Sequence, residues 1–301
     1  MRYEELRERL ARLKAARRAV ILAHNYQAGP VQDIADFVGD SLELSRKAAA
    51  VEAETIVFCG VHFMAETAAI LAPSKTVLLP DAGAGCPMAD MITADELRRW
   101  KERHPGRKVV CYINTSAEVK AESDVCCTSA NAVRVVESLP DEEVLFVPDK
   151  NLAAFVARNS RKKIIAWDGY CYVHHHIYPA DVAAGRREHP EAEVWAHPEC
   201  RPEVIDLADK ALSTGQMIAE ARRTARREVV VATEAGITYR LKKENPGKEF
   251  HPVKHTALCA NMKKTTLPKV LAALEGGGTR ITVPEDIRLR ALGAIEQMIR
   301  I

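Results

Sequence analysis

Short apolar runs alternate with amphipathic, helix-like stretches along the whole chain. Each run holds three to five residues and is flanked by polar or small residues, which is typical of buried parallel strands between helices. Because this alternation persists from end to end, it predicts a layered α/β fold. The runs assigned to strands are Ala19–Ala23, Thr55–Phe58, Val77–Leu79, Val109–Cys111, Val144–Val147, Ile164–Ala166, Val194–Ala196 and Val229–Ala232.

Three of these runs end in a pair of polar residues spaced two positions apart. In each case a hydroxyl residue follows 17 positions after the first member of the pair, where a helical pattern begins. Matches at several positions in three copies indicate an internal triplication with a period of 85–88 residues. The three sets are His24, Tyr26 and Ser41; Tyr112, Asn114 and Ser129; and His197, Glu199 and Thr214.

The triplication replaces a first estimate of two domains, based on chain length, with three units. The N-terminal helix and the C-terminal segment are expected to belong to the first unit. The predicted boundaries are 1–87 plus 268–301 for the first unit, 88–172 for the second and 173–267 for the third.

Each unit also contains one cysteine in a loop that follows a strand. Cys86, Cys171 and Cys259 are spaced by 85 and 88 residues, and small residues lie near each of them. Three units around a pseudo-threefold axis would bring these thiols to one point. Three thiolates suit a zinc ion or three corners of an iron–sulfur cluster, while three buried thiols or a structural zinc site remain alternatives. The other five of the eight cysteines are interpreted as packing residues.

The polar strand ends predict a ligand pocket. In an open α/β sheet, ligands bind beyond the carboxyl ends of the strands, and residues two apart on a strand point to the same side. The three repeated hydroxyls fall at helix N-termini, where a hydroxyl can cap the helix or help to hold an anion. A pocket for a phosphorylated or dicarboxylate ligand is therefore expected, with helix capping alone as the alternative for each hydroxyl.

Composition and charge exclude several functional classes. Lys and Arg total 43 against 41 Asp and Glu, so the net charge of +2 argues against a nucleic-acid-binding protein. Apolar runs stay well short of the roughly 18 residues that a membrane-spanning helix needs. The charged amphipathic N-terminus does not resemble a signal peptide, so a cytoplasmic protein with reduced cysteines is expected. Nucleotide use is disfavoured, because P-loop and dinucleotide-binding glycine motifs are missing from the sequence.

Several long motifs resemble those of the quinolinate synthase family. They include AHNYQ at 23–27, LLPDAGAGCPMADM at 78–91, WDGYCYVHH at 167–175, AHPEC at 196–200 and STGQMI at 213–218. The similarity extends from about residue 17 to the C-terminus.

The resemblance implies a fold, a cofactor and a reaction. The fold would consist of three similar αβα sandwich domains with parallel sheets, arranged around a pseudo-threefold axis. The cofactor would be one [4Fe–4S] cluster held by Cys86, Cys171 and Cys259, with one open iron acting as a Lewis acid. The reaction would condense iminoaspartate with dihydroxyacetone phosphate to quinolinate, releasing phosphate and two waters, on the de novo route to NAD.

The resemblance also implies roles for individual residues. Glu199 is the expected general base, and Tyr26 and His24 are expected to carry protons. Some family members have a C-x-x-C motif at the third cluster ligand, but Ala260–Met262 follow Cys259 here, so a redox disulfide is not expected. The residues that match the family's substrate-binding positions are His24, Ser41, Tyr112, Asn114, Ser129, His197, Glu199 and Thr214. Tyr26, His174 and Ser213 are further substrate-binding candidates, with His174 taken from the histidine run because it lies nearest the cysteine loop.

The expected partners are the two small-molecule substrates, without nucleic acid or membrane, together with a functional link to the enzyme that supplies iminoaspartate. Two other functions would use the same cysteines. One is an iron–sulfur or zinc sensor that binds a metabolite without turnover, and the other is an aldolase-like enzyme with structural zinc.

Overall fold

Three largely parallel sheets follow one another along residues 3–301, the part of the chain that the computed structural model describes. Each of the eight predicted runs lies within a strand, so the α/β assignment is confirmed. The predicted N-terminal helix covers Tyr3–Ala16, while Met1 and Arg2 lie outside the described residues.

The first sheet is built from strand–helix units that begin after the N-terminal helix. A short 3₁₀ turn at Ala89–Met91 follows its fourth strand. The elements in chain order are α1 Tyr3–Ala16, β1 Ala19–His24, α2 Gly29–Ile34, β2 Phe37–Gly39, α3 Ser41–Ala50, β3 Thr55–Cys59, α4 His62–Leu71 and β4 Thr76–Leu79.

The second sheet repeats this alternation of helices and strands. Its elements are α5 Ala94–Arg103, β5 Lys108–Tyr112, α6 Ala117–Ala121, β6 Val125–Cys127, α7 Ala132–Ser138, β7 Glu143–Val147, α8 Lys150–Asn159 and β8 Lys163–Ala166.

The third sheet and the C-terminal segment complete the described chain. A 3₁₀ turn at Met262–Lys264 precedes α14, and a π-helical turn at Ala273–Gly277 follows it. The elements are α9 Tyr172–His175, α10 Pro179–Glu188, β9 Glu193–Ala196, α11 Pro202–Ile205, β10 Lys210–Ala211, α12 Thr214–Arg223, β11 Glu228–Ala232, α13 Ile237–Glu244, β12 Glu249–Pro252, α14 Leu267–Ala272, β13 Thr279–Arg280 and α15 Glu285–Arg300.

All three sheets have the same strand order. The orders are β2-β1-β3-β4, β6-β5-β7-β8 and β10-β9-β11-β12, and the strands within each set are parallel. The short strand β13 extends the first sheet by pairing antiparallel with β4. The last helix, α15, packs against α6 and β6 of the second sheet and also against α4. The C-terminal segment therefore contacts elements of two sheets.

The apolar core lies where helices cover the sheets. Central strands such as β3 and β7 are buried on both faces, and Val144–Val147 are fully inaccessible to solvent. Removing apolar surface from water stabilises a fold by roughly 25 cal/mol per Å², so these continuous apolar runs contribute strongly to stability. This two-sided burial explains why the strands appear in the sequence as unbroken apolar runs. Among residues 3–301, no helix combines the length and the hydrophobicity needed to cross a membrane.

An aspartate braces the first two strands of every sheet in the same way. Each aspartate lies just before the second strand, and one of its carboxylate oxygens accepts a hydrogen bond from a backbone N–H of the first strand. The three aspartates are spaced by 88 and 85 residues, the same intervals as the repeat. They are therefore a further sequence signal of the triplication, in addition to the polar strand ends and the cysteines. The bonds join Ile21 N–H to Asp36 at 2.7 Å, Val109 N–H to Asp124 at 2.8 Å and Val194 N–H to Asp209 at 2.7 Å.

Candidate active site

The first strand of each sheet ends at one common pocket. His24 and Tyr112 are the last residues of β1 and β5, and His197 directly follows β9. The pocket gathers nearly all of the residues that the sequence analysis assigned to a site: His24, Tyr26, Ser41, Cys86, Tyr112, Asn114, Ser129, Cys171, His174, His197, Glu199, Thr214 and Cys259.

The three cysteine loops are anchored by equivalent backbone hydrogen bonds. In each, a backbone N–H at the start of the helix after the third strand, or just before that helix, donates to a carbonyl oxygen two positions before the cysteine. Because this bond is the same in all three units, it brings each thiol to a comparable place beyond its sheet. The bonds are His62 N–H to Ala84 O, Lys150 N–H to Gly169 O and Ala235 N–H to Ala257 O, each 2.8 Å long.

Buried carboxylates hold two of these loops a second time. Oδ2 of Asp149 accepts a hydrogen bond from the backbone N–H of Cys171, and Oε1 of Glu234 accepts one from that of Cys259, each 3.0 Å long. Asp149 and Glu234 lie two residues beyond β7 and β11 and are 85 positions apart. Neither residue was among the predicted site residues, although their spacing matches the repeat. The first unit has Val61 at this position.

The donor set suits a soft metal centre. Cys86, Cys171 and Cys259 are all partly exposed and line the same pocket. Burial raises the pKa of the Cys86 thiol to about 12, and burial likewise raises that of Cys171. Thiols in such surroundings stay protonated unless a cation binds them, and thiolate sulfur favours iron–sulfur clusters or zinc. The three residues therefore fit a metal centre held by three cysteines.

The remaining five cysteines lie away from this pocket. All of them are fully buried; four lie within strands, and Cys200, four residues beyond β9, bonds through its thiol to the carbonyl of Ala232 at the end of β11. This placement agrees with a packing role. They are Cys59, Cys111, Cys126, Cys127 and Cys200.

A buried carboxylate, Glu199, lies at the centre of the polar side chains. Its Oε2 is 2.6 Å from Nδ1 of His174, and its Oε1 accepts a hydrogen bond from the Tyr112 hydroxyl. Burial alone would raise the pKa of Glu199. The combined effect of His174, His197 and Tyr112 is larger and opposite, so the pKa falls to about 2. Glu199 is therefore ionised near neutral pH, and its partners Tyr112 and His174 come from two other segments of the chain.

His174 links this carboxylate to Tyr26. Its Nε2 lies 2.9 Å from Oγ1 of Thr233 and 3.3 Å from the Tyr26 hydroxyl, which is itself 2.6 Å from that threonine oxygen. Thr233 was not predicted as a site residue, because a lone threonine after a strand carries no motif. Of the histidine run, His174 lines the pocket, whereas His175 bonds to Asn151 and Arg201.

Two other imidazoles are held in one tautomer. Nδ1 of His24 accepts a hydrogen bond from the backbone N–H of Tyr26 at 3.1 Å, and Nδ1 of His197 accepts one from that of Glu199 at 3.3 Å. A neutral imidazole that accepts at Nδ1 carries its proton on Nε2. Burial lowers the pKa of each ring to about 3, so both are neutral near pH 7. Each therefore offers one N–H donor.

The repeated hydroxyls do not cap helices. Asp40 is the N-cap of α3 and accepts from the backbone N–H of Glu43 at 2.9 Å, so Ser41 is the first helical residue instead. Thr214 likewise follows its N-cap, Ser213. Ser129 lies three residues before α7, so its expected place at a helix N-terminus was wrong. Asp40 and Ser213 cap α3 and α12, so Ser41 and Thr214 line the pocket without that task, and Ser129 lines it from the turn before α7.

Ser213 differs from the other predicted residues. It is fully buried, its Oγ accepts from the N–H of Gln216 at 3.3 Å, and it is not among the residues that line the pocket. Its contacts assign it to the start of α12, where it positions Thr214. The Thr214 hydroxyl in turn accepts a hydrogen bond from Nδ2 of Asn25 at 3.1 Å.

A layered α/β fold whose strand ends bring three thiols together with a buried carboxylate and imidazoles defines an enzyme. Comparison with known proteins specifies the family. The sequence model described as NadA, quinolinate synthetase A protein, matches residues 8–300. Quinolinate synthase from Dehalococcoides mccartyi (strain CBDB1) is 61% identical over 300 residues, which cover 99% of this chain and 99% of the relative.

Relatives from archaea show the same full-length similarity. Quinolinate synthase from Methanoregula boonei is 58% identical over 294 residues, covering 98% of this chain and 97% of the relative. That of Methanosarcina barkeri (strain Fusaro) is 54% identical over 301 residues, covering 100% and 99%. The chain belongs to the quinolinate synthetase A family.

Proposed function

We propose that this chain is a quinolinate synthase, which condenses iminoaspartate with dihydroxyacetone phosphate to give quinolinate, phosphate and two waters. The observation that carries this proposal is the meeting of three cysteine loops with the Glu199–His174–Tyr112 cluster in one pocket. The reaction requires proton transfers, loss of water and loss of phosphate from one bound intermediate. A pocket that combines a metal centre with acid/base groups and neutral donors meets these requirements.

The proposed architecture consists of three similar αβα units around a pseudo-threefold axis. Their boundaries are 1–87 plus 268–301, 88–172 and 173–267. Support comes from the common strand order, the three aspartate braces and the three equivalent bonds at the cysteine loops. Such an arrangement would place the pocket where the units meet.

Cys86, Cys171 and Cys259 are the proposed ligands of one [4Fe–4S] cluster. When bound, this cluster supplies an iron without a protein ligand, which acts as a Lewis acid toward oxygen or nitrogen atoms of the substrate. Asp149 and Glu234 orient two of the ligand loops through their bonds to the backbone of Cys171 and Cys259. Hydrogen bonds of this kind fix ligand positions and influence metal affinity.

Glu199 is the proposed general base. Its carboxylate is ionised and buried, and His174 and Tyr112 hold both of its oxygens in place. His174 donates through Nδ1 to Glu199, so the other nitrogen of the neutral ring accepts from Tyr26 or Thr233. Burial raises the pKa of Tyr26, so its hydroxyl keeps a proton that it can donate to a leaving hydroxyl and recover from water. His24 contributes the proton on its Nε2, as a hydrogen-bond donor or in such a proton transfer.

Neutral donors are proposed to bind the carboxylates and the phosphate. Within residues 3–301, Lys and Arg side chains are absent from the pocket lining. The substrate anions would instead meet the hydroxyls of Ser41, Ser129 and Thr214 and the N–H groups of His24 and His197. Binding through neutral groups holds an anion without a strong ion pair that would slow release of phosphate.

Asn114 adds a further proposed substrate contact. Its Oδ1 is buried and has no hydrogen-bond partner among the described residues. A buried acceptor without a partner is costly, so a donor on the substrate is the expected partner. The protein is proposed to act in the cytoplasm on these two small molecules, with a functional link to the enzyme that supplies iminoaspartate.

Anaerobic purification tests the proposal. The protein should be brown, with about four irons and four sulfides per chain for one cubane cluster, and should form quinolinate from the two substrates. A colourless protein with full activity would contradict the cluster assignment. A protein that binds the substrates without forming quinolinate would instead support the sensor function.

A further inference from the structure

We propose a second metal site, separate from the pocket, formed by His189, Glu228 and His251 with Glu249 beside them. The metal would be a borderline divalent transition ion, with zinc as the representative. One nitrogen or oxygen atom from each of the first three residues lies within 4.8 Å of the other two. The proposal does not depend on the proposed function, because none of these residues lines the pocket.

The strand register places the two carboxylates and one imidazole together. In the parallel pair β11–β12, Glu228 is opposite Glu249, and Val230 is opposite His251. Residues two apart on a strand share a face, so Glu228, Glu249 and His251 project from the same side of the sheet. Glu228 and Glu249 begin their strands, so the cluster lies at the opposite end of the sheet from the catalytic pocket.

The second imidazole comes from the helix that covers this face. His189 is the C-cap of α10, which packs on β11, and its backbone N–H bonds to Gly185 O at 2.9 Å. Its Nδ1 lies 3.4 Å from Oε2 of Glu228. That separation is close to the distance between two ligands of a tetrahedral zinc ion with bonds of about 2.0–2.1 Å. The C-terminal end of a helix dipole also favours a cation.

An unpaired nitrogen supplies an independent indication. Nε2 of His251 is buried and has no hydrogen bond to any described residue, and Oε2 of Glu249 lies 3.5 Å away without suitable geometry. Burial and the neighbouring His189 lower the pKa of His251, so its ring is neutral, the form that binds metals. The nearby charge of Lys242 also lowers the pKa of this ring, whereas the carboxylates of Glu249 and Glu228 raise it.

The two rings must separate slightly to bind one ion. They are stacked with centroids 3.6 Å apart and planes inclined by 16°. Lone pairs in nearly parallel planes cannot meet at one point, so a rotation of one ring is required. Both side chains are about a quarter exposed, which leaves room for this rotation and a path for the ion. Two imidazoles select zinc, cobalt or nickel over magnesium and calcium.

Zinc binding by the cluster-containing protein tests this site. Anaerobic dialysis against zinc, followed by metal analysis, should give about one bound zinc per chain with iron and sulfide unchanged. His251→Gln should weaken zinc affinity by at least about tenfold, since loss of even an outer partner of a metal ligand costs about 10–100-fold. His104→Gln, which removes an imidazole on α5's C-terminal side, is the matched control and should bind zinc like wild type.

Thermal denaturation provides the second measurement. Zinc should raise the melting temperature of wild type and of His104→Gln but not that of His251→Gln, because a ligand that binds only the folded state stabilises it. If His251→Gln does not fold, Glu228→Gln is used in its place. The Glu228 side chain is 40% exposed, so its substitution should disturb the fold less. Equal zinc binding by wild type, Glu228→Gln and His251→Gln would overturn the proposal, as would retention of no zinc by wild type.

Discussion

The carboxylate of Asp149 accepts the backbone N–H of Cys171 at 3.0 Å, across 22 residues of sequence. Its other oxygen accepts the N–H groups of Asn151 and Leu152, each at 2.8 Å, at the start of α8. One buried side chain therefore caps a helix and positions a loop that carries a proposed cluster ligand. The two tasks use different oxygen atoms and can be separated by mutation.

Asp149→Asn should loosen the Cys171 loop while preserving the helix cap. The amide oxygen can still accept the helix N–H bonds, but the amide nitrogen would face the N–H of Cys171, donor against donor. We expect faster loss of iron to an anaerobic chelator, with nearly unchanged helix content. Asp168→Asn, at a side chain that is 90% exposed, is the matched control. Equal rates of iron loss in both variants would show that the Cys171 bond does not hold the cluster.

Removing the whole side chain should have a larger effect. Asp149→Ala deletes the N-cap, which is worth about 0.5–2 kcal/mol, and leaves the buried N–H of Cys171 unsatisfied, at about 1–3 kcal/mol. We expect the free energy of unfolding to fall by about 2–4 kcal/mol, as measured by chemical denaturation. A loss below that of Asp149→Asn would contradict the assignment of both tasks to this residue.

The cysteine assignment predicts which substitutions abolish metal binding. Cys86→Ala, Cys171→Ala and Cys259→Ala should each lose most of the iron and sulfide, because a cluster with two protein ligands is poorly held. Cys59→Ala, at a fully buried position in β3, should keep the cluster. Absorbance near the visible cluster bands and iron analysis distinguish these outcomes. Retention of a full cluster by any of the first three variants would remove that residue from the ligand set.

Glu199→Gln should separate cluster binding from catalysis. The amide keeps the shape of the carboxylate but cannot take a proton, and general acid–base catalysis contributes roughly 10²–10⁴-fold to rates. We expect turnover to fall by that factor with the iron content unchanged. Glu203→Gln, at a side chain that is 58% exposed, should remain active. Near-normal quinolinate formation by Glu199→Gln would exclude it as the base.

Asp40 predicts a pH-dependent stability. Burial and the neighbouring Glu43 raise its pKa from 3.8 to about 6, so the folded state holds this proton more tightly than the unfolded state. Its contribution therefore favours folding most at low pH and is lost as pH rises through about 6. The full difference corresponds to about 3 kcal/mol. Asp40→Asn keeps a good N-cap and should gain stability over wild type by roughly 1 kcal/mol more at pH 8 than at pH 5.

Denaturation of both proteins across this pH range checks the prediction. A constant difference between wild type and Asp40→Asn would mean that Asp40 titrates alike in the folded and unfolded states. If the stability gained by Asp40→Asn became smaller as pH rises, the pKa of Asp40 would be lowered by folding. The hydrogen bonds to the carboxylate would then affect its pKa more than burial does.

Asn114→Ala should affect binding more than stability. Oδ1 of Asn114 has no hydrogen-bond partner among the described residues, so the loss of this oxygen breaks no hydrogen bond within the protein. A lost hydrogen bond to substrate is worth about 0.5–1.5 kcal/mol, so KM should rise roughly two- to tenfold with kcat little changed. Steady-state kinetics and a melting curve measure the two effects. A lower melting temperature with unchanged KM would assign Asn114 to the fold instead of the site.

Most of the strands predicted from the sequence are those with long apolar runs. The longer strands were found because two-sided burial requires unbroken apolar runs. The strands β2, β6 and β10 hold only two or three residues and were missed, because so few positions carry no periodicity. The four-residue strand β12 was also missed, because its sequence EFHP is not an apolar run. The alternative that Ser41 and Thr214 cap helices is wrong by one residue, because the adjacent polar residues Asp40 and Ser213 are equally good candidates and provide the caps.

The sequence by itself determined the order of the strands and helices, the repeat, and the residue types at the strand ends. These features depend on local backbone preferences and on spacing, which a linear chain records directly. Only the tertiary structure decided which atoms meet. Tyr112 and Glu199 are 87 positions apart and Tyr26 and His174 are 148 apart, and their contacts depend on how whole sheets pack. Burial then set the charges of these groups, because the cost of removing a charge from water depends on the surrounding fold and not on the residue alone.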